Sequence, residues 1–179
     1  MANKLIITQD NLHLLSSLPT TLEVLDCRKN NLSSLPDLPP RLKVLYCSNN
    51  NLTSLPPLPP TLKELYCSHN NLTSLPSLPS TLKYFYCRYN NLTLLPLLPS
   101  TLEYFYCSGN KLPDWYYTST IQEIHNRQIV EKLLLLRKKA ASRLIQKAWT
   151  RYWYHPNSEG ISRYATYMSH LDLNILMNE

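Results

Sequence analysis

Apolar residues recur along this chain in columns twenty residues apart. Leu22, Leu42, Leu62, Leu82 and Leu102 fall in register, as do Cys27, Cys47, Cys67, Cys87 and Cys107. A polar column, Asn30, Asn50, Asn70, Asn90 and Asn110, keeps the same step. Within one unit, Val44-Leu-Tyr-Cys-Ser48 sets two apolar positions between three outward ones. That alternation is the period of a strand. Repetition at a fixed short period predicts a solenoid, in which each unit buries its apolar side only against its neighbours. Six such strands would stack as a parallel sheet at roughly 4.8 Å spacing. The asparagine after each strand is expected to turn inward and satisfy backbone groups at the bend, because buried polar groups need partners.

The return path reads Ser74-Leu-Pro-Ser-Leu-Pro79 and its equivalents. Twenty residues leave no room for a strand, two bends and a full helix. Two prolines three apart instead suit an extended, polyproline-II-like arm, which has no internal hydrogen bonds. Residues 2–21 form a worn first unit with Asp10 in place of the asparagine, and the sixth unit stops matching after Leu112-Pro113. The expected organisation is a leucine-filled solenoid over residues 1–114 and a different segment over 115–179.

Between Leu62 and Thr81 the unit follows L-x-x-L-x-L/C-x-x-N-x-L, which resembles the leucine-rich repeat. The string LPPLPPTLKELYCSHNNLTSLP resembles the short repeats of YopM/IpaH-type bacterial effectors, and equally those of mimivirus-like giant-virus leucine-rich-repeat proteins. The resemblance covers about residues 5–113 and implies the fold together with a protein-binding role. Some bacterial relatives add a C-terminal ubiquitin-ligase domain with a catalytic cysteine. Here the last cysteine, Cys107, lies inside the final repeat and only 72 residues follow it, so that activity is not expected.

After Asp114 the composition changes. Trp115-Tyr116-Tyr117 sits where the last open repeat needs a lid, and Ser119-x-x-Gln122 reads as a capping box. Ile121, Ile124, Ile129, Leu133, Leu136, Ala140, Leu144, Ala148 and Tyr152 recur at helical spacing, predicting an amphipathic helix over 121–154. Lys139–Ala141 offers a place for a break, and a further short helix is expected over 162–177.

Composition narrows the setting. The 179 residues carry a net charge of +6, with 2 Gly against 14 Pro. No run is apolar enough to cross a bilayer, and the first residues lack the apolar core of a signal peptide. Five cysteines at one repeat position argue against a disulfide framework and for small buried fillers in a reducing, intracellular and cytoplasmic setting. The five histidines are scattered, and no carboxylate pair or glycine-rich phosphate loop occurs. The expectation is a non-enzymatic monomer without cofactor or metal.

Two constellations remain. On the outward strand positions, Tyr46, Tyr66, Tyr86 and Tyr106 form one column, flanked by Glu64, Tyr84, Tyr104 and Arg88. Aromatic residues favour sheets for packing alone, yet six tyrosines on the concave face also form a hot-spot-like patch for a protein partner, a host protein if the chain is viral or bacterial. The second constellation is the helix 121–154. Between Arg127 and Arg151 it holds eight basic residues against one acid, Glu131. Arg137, Lys138, Lys139, Arg143, Ile145, Gln146, Lys147, Trp149 and Arg151 make an alternative site for a calmodulin-like protein, nucleic acid or acidic membrane. Leu144–Arg151 resembles a degraded IQ motif, with Thr150 where an arginine is usual. The plainer reading is a helix whose Leu, Ile and Trp cap the solenoid while its basic face is solvated.

Overall fold

The structure, a computed structural model, describes residues 3–154. Six three-residue strands form one parallel sheet in sequence order: β1 (Lys4–Ile6), β2 (Val24–Asp26), β3 (Val44–Tyr46), β4 (Glu64–Tyr66), β5 (Tyr84–Tyr86) and β6 (Tyr104–Tyr106). Each strand pairs with the residue twenty positions on, Leu25 with Leu45, Leu45 with Leu65 and Leu65 with Phe85. The sequence period is thus the register of the sheet. The strands are shorter than the alternation predicts. β3 ends at Tyr46 and the chain turns at Asn49, φ 58°, but Cys47 and Asn49 still donate to the carbonyls of Tyr66 and Ser68.

One face of the sheet is core. Leu25, Leu45, Leu65 and Phe85 are fully buried, and so are Leu42, Leu62, Leu82, Cys47, Cys67 and Cys87. The cysteines are free thiols in the core, and Cys27 and Cys67 lie against the carbonyls of Tyr46 and Tyr86. The asparagine column turns inward as expected. Asn70 Nδ2 donates to the carbonyls of Cys47 and Cys67 at 3.1 Å each, while its Oδ1 accepts from the Leu52 N–H at 3.0 Å. A second ladder runs at the starts of β4, β5 and β6, through Thr61, Thr81 and Thr101; Thr81 Oγ1 lies 2.7 Å from the carbonyls of both Pro60 and Leu62. Among the described residues no buried side-chain nitrogen or oxygen lacks a partner.

With so little glycine, the bends use other residues in the left-handed region. Lys29, Asn49, His69 and Tyr89 have φ between 52° and 58°, and only the last position of that row is glycine, Gly109 at φ 73°. The return segments of the central repeats form neither helix nor strand. The first differs: residues Gln9–Ser17 form a 3-10 helix kinked at Asn11 and boxed by Thr8. This unit has one proline, Pro19, instead of two three apart, so nothing holds its arm extended.

The chain divides into two compact units, Met1–Ile129 and Val130–Glu179. The first runs past the end of the repeats at Asp114 and takes in α1 (Trp115–Thr118) and the first turns of α2 (Ile121–Tyr154). Its capping box is one residue later than the sequence suggested. Thr120 N–H and Oγ1 lie 2.8 and 3.0 Å from Glu123 Oε2, and Glu123 N–H donates back to Thr120 Oγ1. A carboxylate at a helix N-terminus is favoured by the helix dipole over the neutral Gln122. The helix passes through Lys139–Ala141 without a break. The helix expected over 162–177 lies outside the described residues.

Candidate functional site

The outer face of the sheet carries the tyrosine column. Parallel register sets Tyr46, Tyr66, Tyr86 and Tyr106 side by side, with stacked ring centroids 4.7, 4.7 and 5.0 Å apart. A second stack, Tyr84 on Tyr104, lies at 5.2 Å beside it. These spacings follow from the distance between neighbouring strands. Tyr104 and Tyr106 are 49% and 45% exposed, and the other four are half-buried by their neighbours. The rings cover one another's faces and present edges and hydroxyls outward. Among the described residues, only Tyr66 of this ladder donates its hydroxyl to a protein group, Glu64 Oε2 at 3.2 Å. Burial, then the Glu64 carboxylate, holds the Tyr66 phenol above its usual range, and burial also raises Tyr86. The Tyr66 and Tyr86 hydroxyls therefore stay protonated at neutral pH.

Charged groups frame the ladder. At its N-terminal end Asp26 is held by Arg28, whose Nε and Nη2 donate at 2.9 and 2.7 Å, and the same guanidinium lies 4.9 Å from the Tyr46 ring centre. The hydrogen bonds from Arg28 keep the Asp26 carboxyl below its usual range. Along the side of the sheet Lys43 pairs with Glu23 and Lys83 with Glu103, both at 2.7 Å, and among the described residues Lys63 between them has no ion pair. Arg88 donates from Nε to Ser108 Oγ at 2.7 Å and leans toward Tyr89.

A second aromatic row escaped the sequence reading. His69 stacks on Tyr89 at 4.6 Å along the bend that follows the strands. Its left-handed backbone turns these side chains onto one line, and Gly109 leaves the space in which the Tyr89 ring lies: a Cβ there would stand 2.6 Å from it. The only available signal was the lone glycine in an otherwise glycine-free column.

At the other end of the repeats, Tyr116 is buried and Tyr117 donates to the Asn110 carbonyl at 3.1 Å, so the aromatic cluster closes the last repeat as expected. Ile124 is buried and Ile121 packs against the core. Gln128 finishes the lid. Its Nε2 donates to the carbonyls of Leu95 and Pro96 and its Oε1 accepts from the Leu98 N–H. In the second unit, Leu133, Leu136, Leu144 and Ile145 are more than half exposed. Arg137, Lys138, Lys139, Arg143, Gln146 and Lys147 are exposed too, while the side chains of Trp149 and Arg151 lie outside the described ones. No group of three His, Cys, Asp or Glu among the described residues stands close enough to hold a metal ion. No helix there is long and apolar enough to cross a membrane.

Sequence families match the same region. A two-copy leucine-rich-repeat family model matches residues 20–60 and a single-copy one residues 61–82. The solenoid is built of leucine-rich repeats. It is similar to a Shigella effector leucine-rich-repeat domain, 38% identical over 61% of this chain with a TM-score of 0.57. It is also similar to the leucine-rich effector YopM from Yersinia pestis, 42% identical over 52% of this chain with a TM-score of 0.51. The chain spans half of the Shigella domain and 27% of the Yersinia protein. No curated protein matches it in sequence. The repeats are thus similar to those of these bacterial effector proteins.

Proposed function

We propose that this chain captures a protein partner across the tyrosine-bearing face of its sheet, acting through contact without catalysis. The observation that carries the reading is the four-ring stack from Tyr46 to Tyr106, placed on the open face rather than in the core. Stacking fixes the rings before the partner arrives, so little side-chain entropy is lost on binding. Tyrosine supplies apolar edge and hydroxyl together, which is why it is enriched at hot spots. Tyr66, Tyr84, Tyr86 and Tyr106 are the central anchors, with Tyr46, Tyr104, Glu64 and Arg88 around them.

The likeness to bacterial effectors supports a host protein as partner, whether the chain comes from a bacterium or a giant virus. A column of buried free thiols supports a reducing, cytoplasmic setting. The test is affinity capture from host-cell lysate with the full chain and with its Tyr66→Ala/Tyr86→Ala form. The double variant should keep the native circular dichroism spectrum and recover at least tenfold less of the specific partner. Equal recovery by both forms contradicts the proposal.

A further inference from the structure

Residues 130–147 form a helical stretch that leaves much apolar surface exposed. Val130, Leu133, Leu134, Leu135, Leu136, Leu144 and Ile145 expose between 51% and 69% of their surface. Apolar surface of this extent marks an interaction site. The same stretch carries Lys132, Arg137, Lys138, Lys139, Arg143 and Lys147, all exposed, against one acid, Glu131. Along the axis the cations bracket the leucines, with Lys132 before them and Arg137 to Lys139 after them.

The arrangement around the axis selects the partner. At roughly 100° per residue, the four consecutive leucines Leu133 to Leu136 point in four directions spread around the whole circumference. One turn of this helix is therefore apolar on every side. A lipid surface receives one side of a helix and would leave about half of those leucines in water. Another helix laid alongside covers only a stripe, and a second copy would bring its own surplus of positive charge. Nucleic acid would neutralise the cations but offers the leucines nothing. A helix that is apolar all round is one that becomes enclosed.

We propose that residues 130–147 dock inside a calmodulin-type groove: an acidic, apolar-lined protein that closes around the helix, with its carboxylates at the two mouths facing Lys132 and Arg137–Lys139. Such a groove matches both the encircling leucines and the flanking charge. This site is separate from the tyrosine face and stands or falls independently of it.

Calcium-loaded calmodulin is the probe, titrated into the full chain by calorimetry, with phosphatidylserine-containing vesicles and duplex DNA as rival ligands. Saturable one-to-one binding is expected, at least tenfold weaker for Leu134→Gln/Leu136→Gln and for Lys138→Glu/Lys139→Glu, and unchanged for Tyr66→Ala/Tyr86→Ala. The substituted residues are exposed, so helix content should persist in each variant and is checked by circular dichroism. No binding to calmodulin at micromolar concentration overturns the proposal. So does binding indifferent to the leucine substitutions, which would make it charge attraction alone. Tighter binding to the vesicles or the DNA than to calmodulin overturns it as well.

Discussion

Asn70 Nδ2 reaches the carbonyl oxygen of Cys47 at 3.1 Å, one full repeat earlier in the chain. The same nitrogen donates to Cys67 within its own repeat, so a single amide ties two coils together. Removing it leaves the Leu52 N–H without its partner, while the two carbonyls each keep one donor, Asn50 Nδ2 on Cys47 and Asn90 Nδ2 on Cys67; one orphaned buried group costs about 1–3 kcal/mol. Asn70→Ala should therefore lower stability by about 1–3 kcal/mol, read from the urea midpoint. A loss below about 1 kcal/mol would mean that water replaces the amide.

Gln128 does at the end of the solenoid what the asparagines do inside it. Its amide takes up both donors and acceptors of the arm at Leu95, Pro96 and Leu98. Gln128→Ala should cost about 2 kcal/mol. Residues 1–114 alone, which also lack Tyr116 and Ile124, should melt well below residues 1–129. Equal melting temperatures for the two fragments would show that the lid contributes nothing.

Gly109 holds φ 73° beneath the Tyr89 ring. Gly109→Ala adds left-handed strain of about 1–2 kcal/mol and displaces that ring. Thermal denaturation should show the loss, and adding Tyr89→Ala should recover the steric part while leaving the backbone part.

The cysteine column makes stability depend on alkaline pH. Burial pushes the Cys27 thiol up to about 12 and Cys107 to about 11, and also holds Cys47, Cys67 and Cys87 well above the usual thiol range. The folded state keeps protons that the unfolded chain releases near pH 8.5. This stabilisation is complete below that pH and is lost as pH rises toward the folded values, by about 1.4 kcal/mol per pH unit for each thiol. Urea midpoints should fall steeply between pH 8 and 11, less so in Cys47→Ala/Cys67→Ala. A flat profile would show that the thiols are open to water.

The period of Leu25, Leu45 and Leu65 made the sheet, its register and the tyrosine column legible, because in a solenoid the step in sequence is the step in space. Features outside the period were harder to see. The 3-10 helix of the first unit arises where the proline pair is missing. Ser119/Gln122 and Thr120/Glu123 both fit a capping box, and charge decided between them. Gln128 answers a need that exists only because the arm at Leu95–Leu98 has no following repeat. Helical periodicity placed Leu133 and Leu144 on a helix but could not say which stretch of that helix would be covered. The His69–Tyr89 row depends on a left-handed bend that no residue pattern announced.

The central claim, that the tyrosine face is where a partner sits, is tested most directly by site-specific photo-cross-linking. Benzoylphenylalanine is placed at Tyr84 on the outer face of the sheet, or at Leu94, which is 66% exposed on a return segment, and each form is irradiated in host-cell lysate. A discrete cross-linked protein from position 84 and none from position 94 is the expected result. The same product from both positions, or from position 94 alone, would contradict it.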